Sequence, residues 1–281
     1  MNQYHYRLMN VFTRDGQPLS GNPLCVFEDG SGVDTATMQA LARQFNLSET
    51  TFLLPSDKAT AQVRIFAPGY EMVFAGHPTL GSAQACRSLR LGGDSLTLEL
   101  KAGVIPVSAQ GSRWTLAANQ ARWREVELPR KQLAQALGLS EQDLAERPLW
   151  VNTGKEQLVV PLASVAAVRR ALPNVQALGA TRSVEDQSMA YVFAEAAPGQ
   201  VLCRYFFPQH SALIEDPATG SACANLGGWW FAMNRDLPCK LIISQGEQVN
   251  RPSTLYLDID SSGRIRVGGD VIELGRGSIS I

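Results

Sequence analysis

The sequence lacks the marks of several protein classes. It has five cysteines, an odd number, and none of them forms a C-x-x-C pair. That usage is typical of free thiols in a reducing compartment and argues against a disulfide framework or a zinc site. No stretch approaches the ~20 consecutive apolar residues that a membrane helix needs, and the N-terminus lacks the charged-then-apolar pattern of a signal peptide. We therefore expect a cytoplasmic protein without a membrane partner.

An excess of charge of one sign is also missing. The 25 basic and 26 acidic side chains leave a formal net charge of -1, which gives no indication of a nucleic-acid partner. The short motifs of P-loops, dinucleotide-binding folds, zinc peptidases and serine hydrolases do not occur, and three histidines make a histidine-rich metal site improbable. We predict no metal and no organic cofactor. A small-molecule partner must then be held by local groups.

The most informative feature that is present is an internal repeat. The segments VRIFAP at 63–68 and CRYFFP at 203–208 share their Arg, Phe and Pro, and GSA at 81–83 recurs at 220–222. At 281 residues, 45% of them hydrophobic, the chain is long enough for two ordinary domains. We predict one fold used twice, as an N-terminal lobe of residues 1–118 and a C-terminal lobe of 119–281 whose last strand can return to the first lobe.

Each half shows the patterns of strands and of one buried helix. Polar and apolar residues alternate at 95–100 and at 254–260, as in half-buried strands. Frequent Gly and Pro breaks favour largely antiparallel sheet. The segments that follow Gly81 and Gly220 are small and carry few charges, which predicts helices without a polar face.

We expect these buried helices to end near Leu89 and Met233. A separate amphipathic helix is predicted from its N-cap Asp34 to about Phe45. The fold class is therefore α+β, with two pseudo-symmetric lobes, each a curved, mainly antiparallel sheet around a central buried helix.

A glycine-rich turn precedes each buried helix, AGHPTLG at 75–81 and DPATGS at 216–221. Such a turn presents unpaired backbone N–H groups and the positive end of the helix dipole, which suits a carboxylate. The alternative is an ordinary turn with Pro early in the helix and Gly where space is tight. The occurrence of two such turns, with His77 at one and Asp216 at the other, favours a functional reading.

A third segment, NLSET at 46–50, lies between the amphipathic helix and an apolar strand. A carboxyl group at such a junction is partly desolvated, which favours its protonated form and suits proton transfer. The alternative is a solvated loop glutamate or a residue that flanks the helix end. Spacing alone favours this second interpretation of Glu49.

Together, the blocks at 46–50, 74–81 and 215–222 resemble the three signature blocks of the PhzF-like family of phenazine-biosynthesis isomerases. Shorter segments at 11–13, 21–23, 101–103, 245–246 and 251–253 extend the similarity to the whole chain. The resemblance implies a fold like that of diaminopimelate epimerase, with the active site between two lobes. It also implies a cofactor-independent reaction and a homodimer.

The resemblance assigns roles to individual residues. It makes Glu49 the catalytic acid/base and places His77 and Asp216 in the substrate pocket. Hydrogen-bond donors to the substrate are expected from Gly76, Gly220 and Ser221. Epimerases of this fold use two cysteines as opposed acid and base, and neither turn here carries one. Val73 departs from the family block, in which many relatives have proline.

The leading hypothesis is a single-carboxylate isomerase that moves a proton on a small, carboxylate-bearing substrate, for example a cyclic unsaturated one. Two alternatives are a small-molecule binding protein with little turnover and a cysteine-dependent racemase that uses Cys86 or Cys223. Serine hydrolysis through Ser221 has less support, since no histidine stands in a recognisable relation to it. His210 precedes the second turn and is assigned either to the site or to a surface loop.

Overall fold

The structure is a computed structural model that describes residues 2–209 and 212–281, so His210 lies outside the described residues. The chain forms two compact units. The first comprises Met1–Ala117 together with Gly268–Ile281, and the second comprises Ala118–Val267. The arrangement of these units as two lobes that share one site stays a prediction.

The first unit contains two helices and a set of strands. Both helices and all of these strands except the last come from the N-terminal part of the chain. The helices are α1 (Thr35–Phe45) and α2 (Gly76–Ser88). The strands are β1 (Gln3–Thr13), β2 (Asn22–Phe27), β3 (Glu49–Leu54), β4 (Ala61–Phe66), β5 (Glu71–Met72), β6 (Ser95–Leu100), β7 (Gly103–Gln110), β8 (Arg113–Ala117) and, from Gly268 onwards, β17 (Ile265–Ser280).

The strands of the first unit close into a barrel. Pairing runs from β1 through β2, β3, β4, β6, β7 and β8 to β17, and β17 pairs back with β1. Most of α2 between His77 and Cys86 is buried. A Cβ on Gly81 would lie 2.4 Å from Cδ2 of Leu24 on β2, so this glycine permits close packing of α2 on the sheet.

The second unit contains the other elements. Its strands are β9 (Arg122–Glu125), β10 (Leu149–Asn152), β11 (Glu156–Pro161), β12 (Ala190–Ala197), β13 (Gln200–Gln209), β14 (Ala212–Asp216), β15 (Cys239–Gln245) and β16 (Ser253–Ile259). Its helices are α3 (Arg130–Ala136), α4 (Val165–Arg170), α5 (Val175–Leu178) and α6 (Gly220–Ala232), with 3₁₀ turns at Glu141–Asp143 and Glu247–Val249.

The strand pairing of the second unit repeats that of the first. The pairs β10–β11, β11–β12, β12–β13, β13–β14, β13–β15 and β15–β16 are antiparallel, parallel, antiparallel, antiparallel, parallel and antiparallel. The pairs β1–β2, β2–β3, β3–β4, β4–β5, β4–β6 and β6–β7 follow the same series. The repeat in the sequence is thus a repeat of topology.

Most of the strand pairs are antiparallel, in line with the expectation, and the sheets are mixed because parallel pairs occur among them. Each unit has two parallel pairs at equivalent places, β2–β3 and β4–β6 in the first and β11–β12 and β13–β15 in the second. The chain between the members of each pair contains a helix. Parallel neighbours need such a crossover because a tight hairpin can join only antiparallel strands.

The repeated Arg and Phe have a structural explanation. Arg64 on β4 donates from Nε and Nη2 to the two carboxylate oxygens of Glu71, at 2.8 and 2.9 Å. Arg204 on β13 does the same to Glu215, at 3.0 and 2.7 Å. In each strand the guanidinium lies over the ring two residues further on, 5.1 Å from the centroid of Phe66 and 4.5 Å from that of Phe206.

The predicted helices are present, with one error in their bounds. The N-cap of α1 is Asp34, whose side chain accepts from the Thr37 amide, and α6 ends at Ala232, next to Met233. The expectation that the first buried helix follows Gly81 is wrong, because α2 begins at Gly76. Pro78 fits this earlier start, since a first-turn proline gives up an N–H that has no partner within the helix.

The aromatic pair Trp229 and Trp230 belongs to the core. Their residues are 1% and 8% exposed on α6, and the Nε1 of Trp229 donates to the backbone oxygen of Arg147 at 2.8 Å. Among the helices of the described ranges, none combines the length and the apolar character required to span a bilayer.

Candidate active site

Glu49 is the first residue of β3 and follows α1 by a short turn. Helix α1 ends at Phe45, and Asn46 closes it in the left-handed conformation, with its N–H donated to the Ala42 oxygen. The next four residues of β3 are buried, whereas the Glu49 side chain keeps 15% of its surface exposed. The carboxyl group therefore lies at the end of a buried strand with some access to solvent.

His77 is the second residue of α2 and lies beside Glu49. Its Nε2 is 3.3 Å from Oε2 of Glu49, and its side chain is only 5% exposed. Burial lowers the pKa of His77 from 6.5 to about 3, against the opposite effect of a hydrogen bond with the Pro23 backbone. The imidazole is therefore neutral at neutral pH and carries one N–H.

The position of that proton follows from the chemistry of Pro23. A proline has no backbone N–H, so its carbonyl accepts and the imidazole donates. Nε2 forms no hydrogen bond of its own, so Nδ1 donates to Pro23. Nε2 then carries a lone pair and lies 3.3 Å from Oε2 of Glu49. A neutral imidazole in this tautomer can accept a hydrogen bond from Glu49 when the carboxyl group is protonated.

Gly76 is the first residue of α2, at a helix end that no side chain caps. The N-cap residue is Ala75, which makes no side-chain hydrogen bond to the first turn. The backbone N–H groups of Gly76 and His77 thus belong to the group of helix-terminal donors that have no partner within the helix. Such a terminus is suited to an anion.

Asp216 is the last residue of β14 in the second unit. Thr219 donates from Oγ1 to its Oδ2 at 2.5 Å. Gln245, which is fully buried, donates from Nε2 to the Asp216 carbonyl at 2.8 Å and to Thr219 Oγ1 at 3.0 Å. These hydrogen bonds of Thr219 and Gln245 hold the turn between β14 and α6 in place, and we call this arrangement the clamp.

Gly246 permits this clamp to form. It has a φ of +81°, and a Cβ at this position would lie 2.5 Å from the Pro217 oxygen. Sequence reasoning identified Gln245 and Gly246 only as part of a resembling segment. Their role as supports of the Asp216 turn comes from the structure.

Gly220 and Ser221 are the first two residues of α6, whose N-cap Thr219 likewise makes no side-chain capping bond. The Oγ of Ser221 lies 3.1 Å from Nε2 of Gln157, on β11. Sequence reasoning missed Gln157. The sequence feature that could have indicated Gln157 is its place at the start of the apolar run QLVVP, at 157–161. A glutamine in such a buried strand needs hydrogen-bond partners for its amide.

The structure brings the expected residues together in two groups, one per unit. Gly76 and His77 share a helix end that contacts Glu49, while Asp216, Gly220 and Ser221 surround one clamped turn. No group of three or more His, Cys, Asp or Glu side chains that could hold a metal occurs in the part of the chain that the structure describes.

The cysteines do not form an acid/base pair in the described residues. Cys86 on α2 and Cys223 on α6 are both buried. Burial raises the pKa of the Cys86 thiol to about 12 and that of Cys223 well above its ordinary value. Proton transfer by cysteine requires an accessible thiolate, so the geometry argues against a two-thiol racemase.

Comparison with known proteins identifies the family. Residues 9–275 match the phenazine biosynthesis-like protein family, PhzC-PhzF. An uncharacterized isomerase of Pasteurella multocida is 37% identical, in an alignment that covers 99% of this chain and 94% of that protein. The trans-2,3-dihydro-3-hydroxyanthranilate isomerase of Pseudomonas chlororaphis is 31% identical over 98% of this chain and 99% of its own.

Solved structures show the same fold. A Bacillus anthracis phenazine biosynthesis protein of the PhzF family superposes with a TM-score of 0.88 at 24% identity, and all of both chains is covered. A probable proline racemase from Agrobacterium radiobacter aligns with a TM-score of 0.67 at 11% identity, over 99% of this chain and 93% of its own. The chain belongs to the phenazine biosynthesis-like (PhzC-PhzF) family and is an isomerase of that family.

Proposed function

We propose that this chain is a cofactor-independent isomerase in which Glu49 moves a proton on a small, carboxylate-bearing substrate. The observation that carries the proposal is the contact between Glu49 and His77, 3.3 Å from Oε2 to Nε2. One partner is a carboxyl group with some solvent access, and the other is a buried, neutral imidazole. The name of the Pseudomonas chlororaphis relative points to cyclic, unsaturated amino acids as the first substrates to test.

The proposed reaction is an internal proton transfer. Glu49 removes a proton from a carbon that a neighbouring carbonyl, carboxylate or diene activates, so a C–H bond breaks and an O–H bond forms on Glu49. The same O–H then returns its proton to another carbon of the substrate. During the interval, Nε2 of His77 accepts the hydrogen bond from the protonated carboxyl group and holds its orientation.

Binding groups are proposed for both units. In the first unit the backbone N–H of Gly76 is the proposed donor to the substrate. In the second unit the proposed donors are the backbone N–H of Gly220 and the hydroxyl of Ser221, and such donors stabilise negative charge that develops in a transition state. The Asp216 carboxylate, which Thr219 already orients, accepts a hydrogen bond from an amino or hydroxyl substituent. Asp216 and His77 thus position the substrate and the proton carrier.

Proton exchange in deuterated buffer tests the proposal. Parent protein and Glu49→Gln are incubated with a panel of cyclic unsaturated amino and hydroxy acids that includes trans-2,3-dihydro-3-hydroxyanthranilate, and NMR follows deuterium at carbon. We expect exchange or isomerised product with the parent and at least a 1,000-fold lower rate with the variant, a loss of about 4 kcal/mol of transition-state stabilisation.

A matched control is Glu195→Gln, since Glu195 is an exposed glutamate on β12, the strand of the second unit that corresponds to β3. Its exchange rate should equal that of the parent. Binding without exchange by the parent would support the small-molecule binding protein instead. Exchange that survives Glu49→Gln but stops on thiol alkylation would assign the chemistry to a cysteine.

The resemblance also implies a homodimer, and we propose this assembly as well. Sedimentation velocity on the purified chain tests it, with a dimer mass as the expected result and a monomer mass at micromolar concentration as the contrary one.

A further inference from the structure

A chain of buried amide side chains leads from the backbone of the second unit to Ser221. Asn225 on α6 and Gln157 on β11 are 0% and 1% exposed. Nδ2 of Asn225 lies 2.7 Å from Oε1 of Gln157, and Nε2 of Gln157 lies 3.1 Å from the Oγ of Ser221. A buried amide costs stability unless its donors and acceptors are matched, so the direction of each hydrogen bond is informative.

The orientation of the Asn225 amide is fixed by two backbone groups, one of which can only donate a hydrogen bond and the other only accept one. The backbone N–H of Thr153 is a donor and lies 2.9 Å from Oδ1 of Asn225. The backbone carbonyl of Lys155 is an acceptor and lies 2.9 Å from Nδ2. Reversing the Asn225 amide would place two donors together at one end and an acceptor against an acceptor at the other.

The orientation of Gln157 follows from that of Asn225. Because Nδ2 of Asn225 donates, the atom of Gln157 that faces it must be the acceptor Oε1. The NH₂ group of Gln157 therefore faces Ser221 Oγ, and it also lies 3.1 Å from the hydroxyl of Tyr205. Ser221 Oγ accepts this hydrogen bond, and its own proton is left to point elsewhere.

We propose that Gln157 and Asn225 are positioning residues that set Ser221 as a hydrogen-bond donor towards an anionic substrate. The inference deepens the proposed function, on which it rests, by assigning the direction of one hydrogen bond at the binding site. A serine hydroxyl can donate or accept, and a carboxylate can only accept. The amide chain selects the sense that fits a carboxylate before the substrate arrives.

The equivalent position of the first unit is set in the same manner but with the opposite polarity. His77 is the second residue of α2, as Ser221 is of α6. Its partner Pro23 is the second residue of β2, as Gln157 is of β11. Pro23 accepts from the imidazole, so Nε2 is an acceptor, whereas Gln157 donates to Ser221, whose hydroxyl is a donor.

Neutron diffraction on crystals of the deuterium-exchanged protein tests the direction of the hydrogen bonds without any substrate. We expect deuterium on Gln157 Nε2 between it and Ser221 Oγ, and the Ser221 deuterium directed away from Gln157. A Ser221 deuterium on the line to Gln157 would overturn the inference. This result is independent of whether the proposed isomerase activity is found.

Kinetics with trans-2,3-dihydro-3-hydroxyanthranilate test the consequence for binding. Gln157→Met keeps the side-chain length and removes the donor, and we expect KM to rise about 5-fold with little change in kcat, the cost of one ordinary hydrogen bond. In a Ser221→Ala background the same substitution should change KM less than 2-fold, because the residue through which it acts is gone. Equal effects in both backgrounds would show a merely structural role.

Two further variants guard against loss of folding and against a general packing effect. Once its carboxyl group is ionised, Gln157→Glu still accepts from Asn225 but has no proton to donate to Ser221, so KM should rise about 10-fold or more at a pH that ionises it, together with some loss of melting temperature from the buried charge. Tyr205→Phe removes the other acceptor of the same NH₂ group and should leave KM within 2-fold. An unchanged KM for Gln157→Glu contradicts the proposal. Absence of turnover by the parent contradicts the proposed function alone, and the neutron map then decides.

Discussion

His77 makes the stability of the protein depend on pH. Its folded-state pKa of about 3 lies below the ordinary value of 6.5. Between these two pH values the imidazole is protonated in the unfolded chain and neutral in the folded one. The stabilisation by the neutral ring is complete above about pH 6.5 and is lost as the pH falls towards 3. One pKa unit corresponds to about 1.4 kcal/mol.

We therefore predict that the parent loses about 2 kcal/mol more than His77→Gln in its free energy of unfolding between pH 7.5 and pH 5. Urea denaturation of both proteins at the two pH values measures the difference. The glutamine variant cancels the contribution of the carboxylates, which both proteins share. Equal losses would mean that the buried imidazole titrates as it does in water.

At the residue scale, the sequence was informative about charged groups and uninformative about amides. His77 and Asp216 stood out as ionisable side chains beside glycine-rich turns, and Glu49 stood out at the junction between an amphipathic helix and an apolar strand. The contact of Glu49 with His77 was not predictable, since it joins the start of β3 to the start of α2. Gln157 and Asn225 were missed because each lies in an apolar segment, and only the tertiary structure shows that they meet.

At the element scale, the repeated Arg–Glu pairs predict different costs of mutation. The side chains of Arg204 and Glu215 are 10% and 9% exposed, and Arg204 also donates from Nη1 to the carbonyl of Ala171, just after α4, at 2.6 Å. Arg204→Leu leaves Glu215 buried without its ion partner and should cost about 3–5 kcal/mol of unfolding free energy.

The equivalent substitution in the first unit should be milder. Glu71 keeps a second partner when Arg64 is removed, because Lys101 Nζ lies 2.7 Å from its Oε2. We expect Arg64→Leu to cost about 1 kcal/mol, the value of a partly exposed pair. Chemical denaturation of the two variants side by side measures this contrast, and equal costs would show that Lys101 does not replace Arg64.

Helix α2 makes a second prediction at this scale. Alanine at Gly81 would gain about 1 kcal/mol of helix propensity but would place its Cβ 2.4 Å from Leu24 Cδ2, and overpacking costs about 1–3 kcal/mol. Gly81→Ala should therefore lower the melting temperature. Gly93→Ala is the control, since nothing lies within 4 Å of its Cβ position, and it should leave the melting temperature nearly unchanged.

The elements themselves were mostly predictable, but their pairing was not. The strand of alternating residues at 95–100 is β6, and the N-cap Asp34 begins α1. Local patterns carry this information. The parallel pairs and the start of α2 at Gly76 depend on how the chain crosses the barrel and on the tolerance of a helix for Pro78 in its first turn, which periodicity does not report.

At the scale of the whole molecule, the barrel of the first unit needs β17. Strands β1 and β8 both pair with it. A chain truncated after Val267 lacks these partners, so we predict that hydrogen exchange of the β1 and β8 amides becomes at least 100-fold faster. Strands β12 and β13 should keep their protection, because their pairing lies within the second unit.

A truncation after Gly275 is the control for this experiment. It retains the β17 residues that pair with Met9, Asn10 and Val11, which are Glu273, Ile272 and Val271. Protection of these β1 amides should remain. If the chain ending at Val267 also keeps β1 protected, the barrel is stable when open and β17 is dispensable.

The position of β17 in the chain also determines the order in which the protein matures on the ribosome. The second unit is synthesised in full before Gly268–Ile281, the segment that closes the first. The part made first is therefore completed last, and the edges of β1 and β8 stay open throughout translation of the intervening residues. Open strand edges bind other strands, so we expect the unfinished chain to be most prone to association before Gly268–Ile281 has been synthesised.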